Sequence, residues 1–119
     1  MRKFTDLQVW ERSHRLVLEV YRLSRHFPIA ERFGLTAQLR RAAMSVPANI
    51  AEGAKRESQR DFAHFLNIAE GSLAETQYLM VLGRDLGYAN PVDLERLLEE
   101  VEQIMRMLAS LRKKVARPK

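Results

Sequence analysis

Apolar residues recur at spacings of three and four in four long stretches of this chain, and no segment alternates with period two over the length of a strand. The pattern predicts four helices. The first should run from about Leu7 to Arg25, capped by Thr5 or Asp6 and ended by Phe27-Pro28, with Val9, Trp10, Ser13, Leu16, Val17, Val20, Tyr21, Leu23 and Ser24 spread over nearly half its circumference. The second should begin near Leu35 and end at Ala51 or Glu52, with Gly53 as its C-cap and a tight polar loop after it. Ser58-Gln-Arg-Asp61 has the form of a capping box and opens a third helix that keeps Phe62, Phe65, Leu66, Ala69, Leu73, Thr76, Met80 and Gly83 on one side until about Leu86, stopping at Gly87. Asn90-Pro91 starts the fourth, whose Leu94, Leu97 or Leu98, Val101, Ile104 or Met105, Leu108, Leu111 and Val115 follow a sustained heptad pattern. Long amphipathic helices joined by short connections make antiparallel neighbours, so the expected fold is an all-α, up-down-up-down four-helix bundle formed by one domain over residues 1–119.

The second helix departs from an ordinary amphipathic pattern. Besides its core face of Leu35, Leu39, Ala42, Val46 and Ile50, it carries a polar stripe of Gln38, Arg41, Ser45, Asn49, Glu52 and Arg56. A third face, apart from Arg40, is small or apolar again: Ala37, Met44, Pro47, Ala48 and Ala51. A helix in a monomeric bundle needs one buried stripe. Two imply that another copy of the chain covers the second, so Met44, Pro47, Ala48 and Ala51 are expected at a homo-oligomer interface. Pro47 inside this pattern should kink the helix, at a cost of roughly 3 kcal/mol, by removing the hydrogen bond to the Ala43 carbonyl. Gln38, Arg41, Ser45, Asn49 and Glu52 are read as a structural or interface set that satisfies itself and that carbonyl; a pocket for a small ligand or a phosphate, and plain solvent exposure, are the alternatives. In the third helix Gly71 sits among Ala63, Ala69, Ser72 and Ala74, a composition that suggests close approach of a neighbouring backbone.

Charge adds a candidate partner. The 119 residues carry a formal net charge of +5, which allows an anionic partner without demanding one. Arg15, Arg22 and Arg25 fall within roughly 80° on the first helix, and Lys55, Arg56 and Arg60 cluster at the junction of the second and third. These six are the candidate contacts to RNA or DNA. Arg112, Lys113, Lys114, Arg117 and Lys119 crowd the end of the fourth helix, where the dipole favours positive charge in any case. Surface aromatics are scarce, so phosphate contacts should dominate over base stacking.

Candidate chemistry is sparse. There is no cysteine, which excludes disulfides, thiolate metal sites and a cysteine nucleophile. Glu11-Arg-Ser-His14 is half of a di-iron carboxylate signature, but neither His26 nor His64 has a glutamate three residues upstream, and His14 reads as a partly buried flank histidine. No phosphate-binding loop, zinc-protease or nucleophile-elbow motif occurs. The expectation is a protein with no catalytic residue, metal or cofactor. No apolar run approaches the ~20 residues of a membrane span, and the N-terminal MRKFTDLQVWERSH lacks the apolar core of a signal peptide, so a cytoplasmic location without membrane contact is expected.

Residues 4–90, and most specifically QLRRAAMSVPANIAEG and IAEGSLAE, resemble the four-helix-bundle proteins encoded by intervening sequences within bacterial 23S ribosomal RNA genes, and are similar also to the accessory protein of diversity-generating retroelements. The resemblance implies a homo-oligomeric bundle, typically a ring of five, and, through the accessory protein, which assists a reverse transcriptase, nucleic-acid binding; the expected function is non-catalytic binding of RNA or DNA. A protein-interaction scaffold with a partner protein and no direct nucleic-acid contact is the alternative function.

Overall fold

The computed structural model describes residues 3–117, without the Asp6 side chain. Four helices make up almost all of it: α1 (Gln8–Ser24), α2 (Leu35–Ala54), α3 (Gln59–Asp85) and α4 (Pro91–Val115), with short 3-10 turns at Phe4–Asp6 and Ile29–Glu31. Each helix packs on the next, α4 closes back onto α1, and the bundle measures 49 × 23 × 20 Å. Side-chain pairs fix how neighbours lie. Ser45 meets Ser72 while Gly53 meets Phe62 and Phe65, and Arg84 meets Glu95 while Arg112 meets Glu70, so numbers rise along one member of each pair as they fall along the other. Among the described residues no helix is long and apolar enough to cross a membrane.

The core is the set that the spacing selected. Val20, Leu39, Val46, Ile50, Leu66, Leu73, Met80, Leu94, Val101, Ile104 and Leu108 are fully buried, while Trp10, Phe65 and Leu111 are half-buried at its margin. Burial of such side chains contributes about 1.5–3 kcal/mol each and is what holds marginally stable single helices together. The few polar groups inside are satisfied: Ser13 Oγ donates to the Val9 carbonyl (2.7 Å), Thr76 Oγ1 to that of Ser72 (2.8 Å), and Ser24 Oγ accepts from Arg40 Nε (2.8 Å).

Two caps are as read from the sequence. Ser58 Oγ accepts from the Asp61 amide at 3.0 Å and Asn90 Oδ1 from that of Val92 at 2.8 Å. At the end of α3, Gly87 has φ +74°, and the Tyr88 and Gly87 amides donate back to the Gly83 and Arg84 carbonyls, both at 3.0 Å, closing a Schellman motif.

Several local expectations fail. Thr5 does not cap α1: residues Phe4–Asp6 form their own 3-10 turn, and Leu7 occupies the cap position with no side-chain bond, so α1 begins one residue later than expected. The Asp6 side chain, the other expected cap, and Lys119 lie outside the described part of the chain. Gly53 is not a C-cap, because α2 continues to Ala54. A Cβ at Gly53 would lie 2.7 Å from Phe65 Cβ and 3.0 Å from Phe62 Cδ1, so the close approach is here. Gly71, where it was expected, faces open space.

Candidate functional site

α2 runs through Pro47 in unbroken helical backbone, and Pro47 is buried within its own chain. It therefore leaves the outer face to which it was assigned. That face keeps Met44, 43% exposed, with Ala48 exposed and Ala37 and Ala51 half-buried. α1 extends it: Tyr21 Oη donates to Met44 Sδ at 3.4 Å, the Arg40 guanidinium lies 4.5 Å over the Tyr21 ring, and Leu18 is 53% exposed.

The polar stripe on α2 divides into unlike parts. Ser45 Oγ and Ser72 Oγ lie 2.8 Å apart across the α2–α3 contact, and Asn49 Nδ2 donates to Ser45 Oγ (3.0 Å) and to the Ser45 carbonyl (2.8 Å). The carbonyl reached is that of Ser45, not that of Ala43 as expected: a side chain at i+4 on a helix spans one turn and finds the group directly beneath it. Glu52 takes no part in this set and instead pairs with Arg56 at 2.9 Å on the surface. Gln38 and Arg41 are exposed.

The six basic candidates do not converge either. Arg15 pairs with Glu11 (3.0 Å) and Arg22 with Glu19 (3.1 Å), and Glu19 also accepts from Arg96 of α4 at 3.1 Å. Next to them Arg12 binds Glu100 (2.7 Å) and Gln103 (2.6 Å), which holds its guanidinium pKa above the ordinary value through the hydrogen bond to Glu100. The groove between α1 and α4 is thus a ladder of mixed sign, with Asp93 and His26 lining its further end. Exposed ion pairs contribute only about 0–1 kcal/mol each, so the arginines are free to exchange partners, but the carboxylates stay and oppose a phosphate. Glu11 and Glu19 stand on α1 beside the arginines they pair with and were legible there; what α1 alone does not show is Glu100, which reaches Arg12 from α4 across 88 residues.

At the α2–α3 junction, Arg56 lies 4.8 Å over the Phe65 ring as well as against Glu52, while Lys55 and Arg60 are exposed and their side chains make no hydrogen bond or ion pair among the described residues. The end of α4 joins them. Arg112 is tied to Glu70, which raises its pKa. Going from Glu70 to Arg60 along α3 covers about 15 Å, and from Arg112 to Arg117 along α4 about 7 Å in the same direction. Lys113, Lys114 and Arg117, exposed and unpaired among the described residues, therefore flank the same end of the bundle as Lys55 and Arg60. From Gln103 onward the chain has no acid. Beside this stretch, Leu7, Val9, Met107 and Leu111 floor an open groove of about 510 Å³ edged by Gln8, Arg106, Ser110 and Lys114.

The histidines stay apart. His14 is exposed rather than partly buried, stacking on Trp10 at 5.2 Å, and Glu11 of the same motif is spent on Arg15; His64 packs edge-on against Phe65. Among the described residues no three of His, Asp and Glu gather as a metal site.

Residues 5–110 match the family of 23S rRNA-intervening sequence proteins. A crystal structure of a protein with unknown function from the S23 ribosomal protein family of Bacteroides thetaiotaomicron VPI-5482 superposes with a TM-score of 0.81, at 27% identity, over 88% of this chain and 98% of that one. No curated protein matches the chain.

Proposed function

Since this chain belongs to the 23S rRNA-intervening sequence protein family, we propose on that premise that it is a non-catalytic homo-oligomer, of five copies by the resemblance, that binds RNA or DNA through basic patches. The observation that carries the reading is the acid-free end of α4, whose Lys113, Lys114 and Arg117 stand with Lys55 and Arg60 at one end of the bundle. Unpaired lysines and arginines release counterions when phosphates replace water around them, and a ring repeats the patch, so weak single contacts add as avidity. Arg25, exposed and without an ion pair among the described residues, contributes next, and Arg56, Arg15 and Arg22 contribute less because Glu52, Glu11 and Glu19 cancel their field at close range. Bases are bound with little sequence preference.

Fluorescence anisotropy of labelled single-stranded and duplex RNA and DNA, over a salt series beginning at about 50 mM, tests this. Binding should weaken steeply with salt. Changing Lys113, Lys114 and Arg117 together to glutamine should lower the log–log slope by about one for each phosphate no longer neutralised, and by more than the same change at Arg15, Arg22 and Arg25. Absence of binding to all four probes at the lowest salt rejects the nucleic-acid reading. The second reading, a protein-interaction scaffold, is favoured by one separate feature, the exposed Ile29 and Phe33.

A further inference from the structure

The connection between α1 and α2 is built to hold two large apolar side chains in water. Phe27 is buried, packs against Tyr88 with ring centroids 5.8 Å apart, and reaches within 3.1 Å of where a Gly83 Cβ would stand. Glu31 is committed twice, accepting from the Leu35 amide (3.1 Å) and from Tyr88 Oη (2.9 Å). Between and after these anchors a 3-10 turn holds Ile29, and further along the connection stands Phe33, both 83% exposed. A loop pinned at both ends cannot fold these side chains into the core. Around them Arg25, His26 and Arg32 are exposed, and the Arg32 guanidinium lies 4.8 Å over one face of the Phe33 ring.

We propose that this connector is a docking site for a second protein, and that the partner presents an acidic amphipathic segment whose apolar side chains cover Ile29 and Phe33 while its carboxylates meet Arg25 and Arg32. Charge selects the partner. The exposed ionisable groups of the connector are basic, and the one acid within it, Glu31, is already satisfied from two sides. A second copy related by a two-fold axis would place Arg25 and Arg32 against themselves, and a second copy seated head-to-tail, as in a ring, is tested through the oligomer mass below. A nucleic acid finds no stacking partner in aliphatic Ile29 and only one open face on Phe33. An anionic lipid surface would be opposed by Asp93, which lines the adjoining cleft with His26, and by the Asp85 and Glu95 carboxylates around Arg84. Rigid presentation keeps the ordering cost of binding low.

A random 12-residue phage-displayed peptide library, panned on the full chain and counter-selected on the Ile29→Ser/Phe33→Ser double variant, tests the assignment. The enriched peptides should carry at least two Asp or Glu residues and two large apolar residues three or four positions apart. A synthetic peptide of that sequence should bind the wild type in the micromolar range and weaken about tenfold or more with Arg25→Glu/Arg32→Glu. Melting temperatures should not change in any variant, since all four side chains are exposed. The proposal is overturned if no sequence is enriched over the counter-selected variant, or if the enriched peptides lack acids. It is equally overturned if the double variant lowers the oligomer mass, or if phosphatidylglycerol vesicles bind the wild type with the same dependence on Phe33 while the peptides do not.

Discussion

Gly53 and Gly71 show how the same residue type carries opposite consequences a short distance apart. A methyl group at Gly53 would meet the Cβ of Phe65 and the ring of Phe62, one of the largest fully buried side chains, so neither neighbour can swing away cheaply. Gly53→Ala should lower stability by about 1–3 kcal/mol, the usual cost of overpacking. Gly71→Ala meets nothing within 4 Å and should raise the stability of the single chain by about 0.5–1 kcal/mol through helix propensity. Urea unfolding of both variants checks the pair, and the opposite order would mean that the α2–α3 contact is misplaced. Tyr88 gives a second test at this scale. Its hydroxyl donates to Glu31, so ionisation would forfeit that bond, next lose solvation and bring two negative charges together; its pKa is raised above 10.0 by these effects in that order. Because the neutral form is the one the fold favours, the contribution is complete below pH 10 and fades as pH climbs through the raised folded value. Tyr88→Phe should melt lower than wild type at pH 7 and lose less stability than wild type between pH 9 and 11. Neither Gly53 nor Tyr88 could be read from local sequence: a glycine before a polar run looks like a helix end, and the phenylalanines that demand it lie in the next helix.

At the level of elements, what the spacing of apolar residues could reach was reached, since a helix is specified by its own sequence and its buried stripe. Ser58, Asn90 and Gly87 end or begin their helices by bonds within two to five residues, and such bonds are legible. The start of α1 was not, because Thr5 belongs to a separate 3-10 turn under Trp10, to which Phe4 packs edge-on at 5.0 Å. The polar stripe of α2 was drawn as one line, yet its members have unlike roles, because Ser45 meets a polar group of α3 while Glu52 pairs with Arg56 and Gln38 and Arg41 stand exposed. Asn49 and Ser45 join Ser72 in a half-buried link between the two helices, and Asn49→Ala should cost about 1 kcal/mol by leaving that link short of a donor. Glu52 forms only an exposed pair one turn apart, worth about 0.3–0.5 kcal/mol, which the better helix propensity of alanine offsets. Glu52→Ala should therefore leave the melting curve where it was. Equal losses from the two variants in thermal melts would show that Glu52 shares the Asn49 network after all.

For the whole molecule, charge and apolar surface are distributed in a way that no single helix reveals. Acids of α4 interleave with the arginines of α1, the end of α4 is left purely basic, and the outer side of α1 and α2 keeps a strip of Leu18, Tyr21, Met44 and Ala48 that the bundle itself leaves partly or fully uncovered. Such a strip argues for self-association on grounds independent of the charge pattern. Methionine and small residues allow close packing of a second chain, and covering Leu18 and Met44 removes apolar area worth about 25 cal/mol for each Å². Light scattering coupled to size exclusion should therefore give a mass several times the 13.8 kDa of one chain, about five times if the ring is right. Met44→Glu places a charge in the middle of the strip, where it would be desolvated without a partner. The substitution should reduce the assembly toward single chains while circular dichroism still reports a helical protein, because Met44 is 43% exposed and its core neighbours are untouched. If the wild type elutes at the mass of one chain at about 10 μM, within the range where standard interfaces hold, self-association through this strip is wrong, and the second apolar face of α2 must serve another partner.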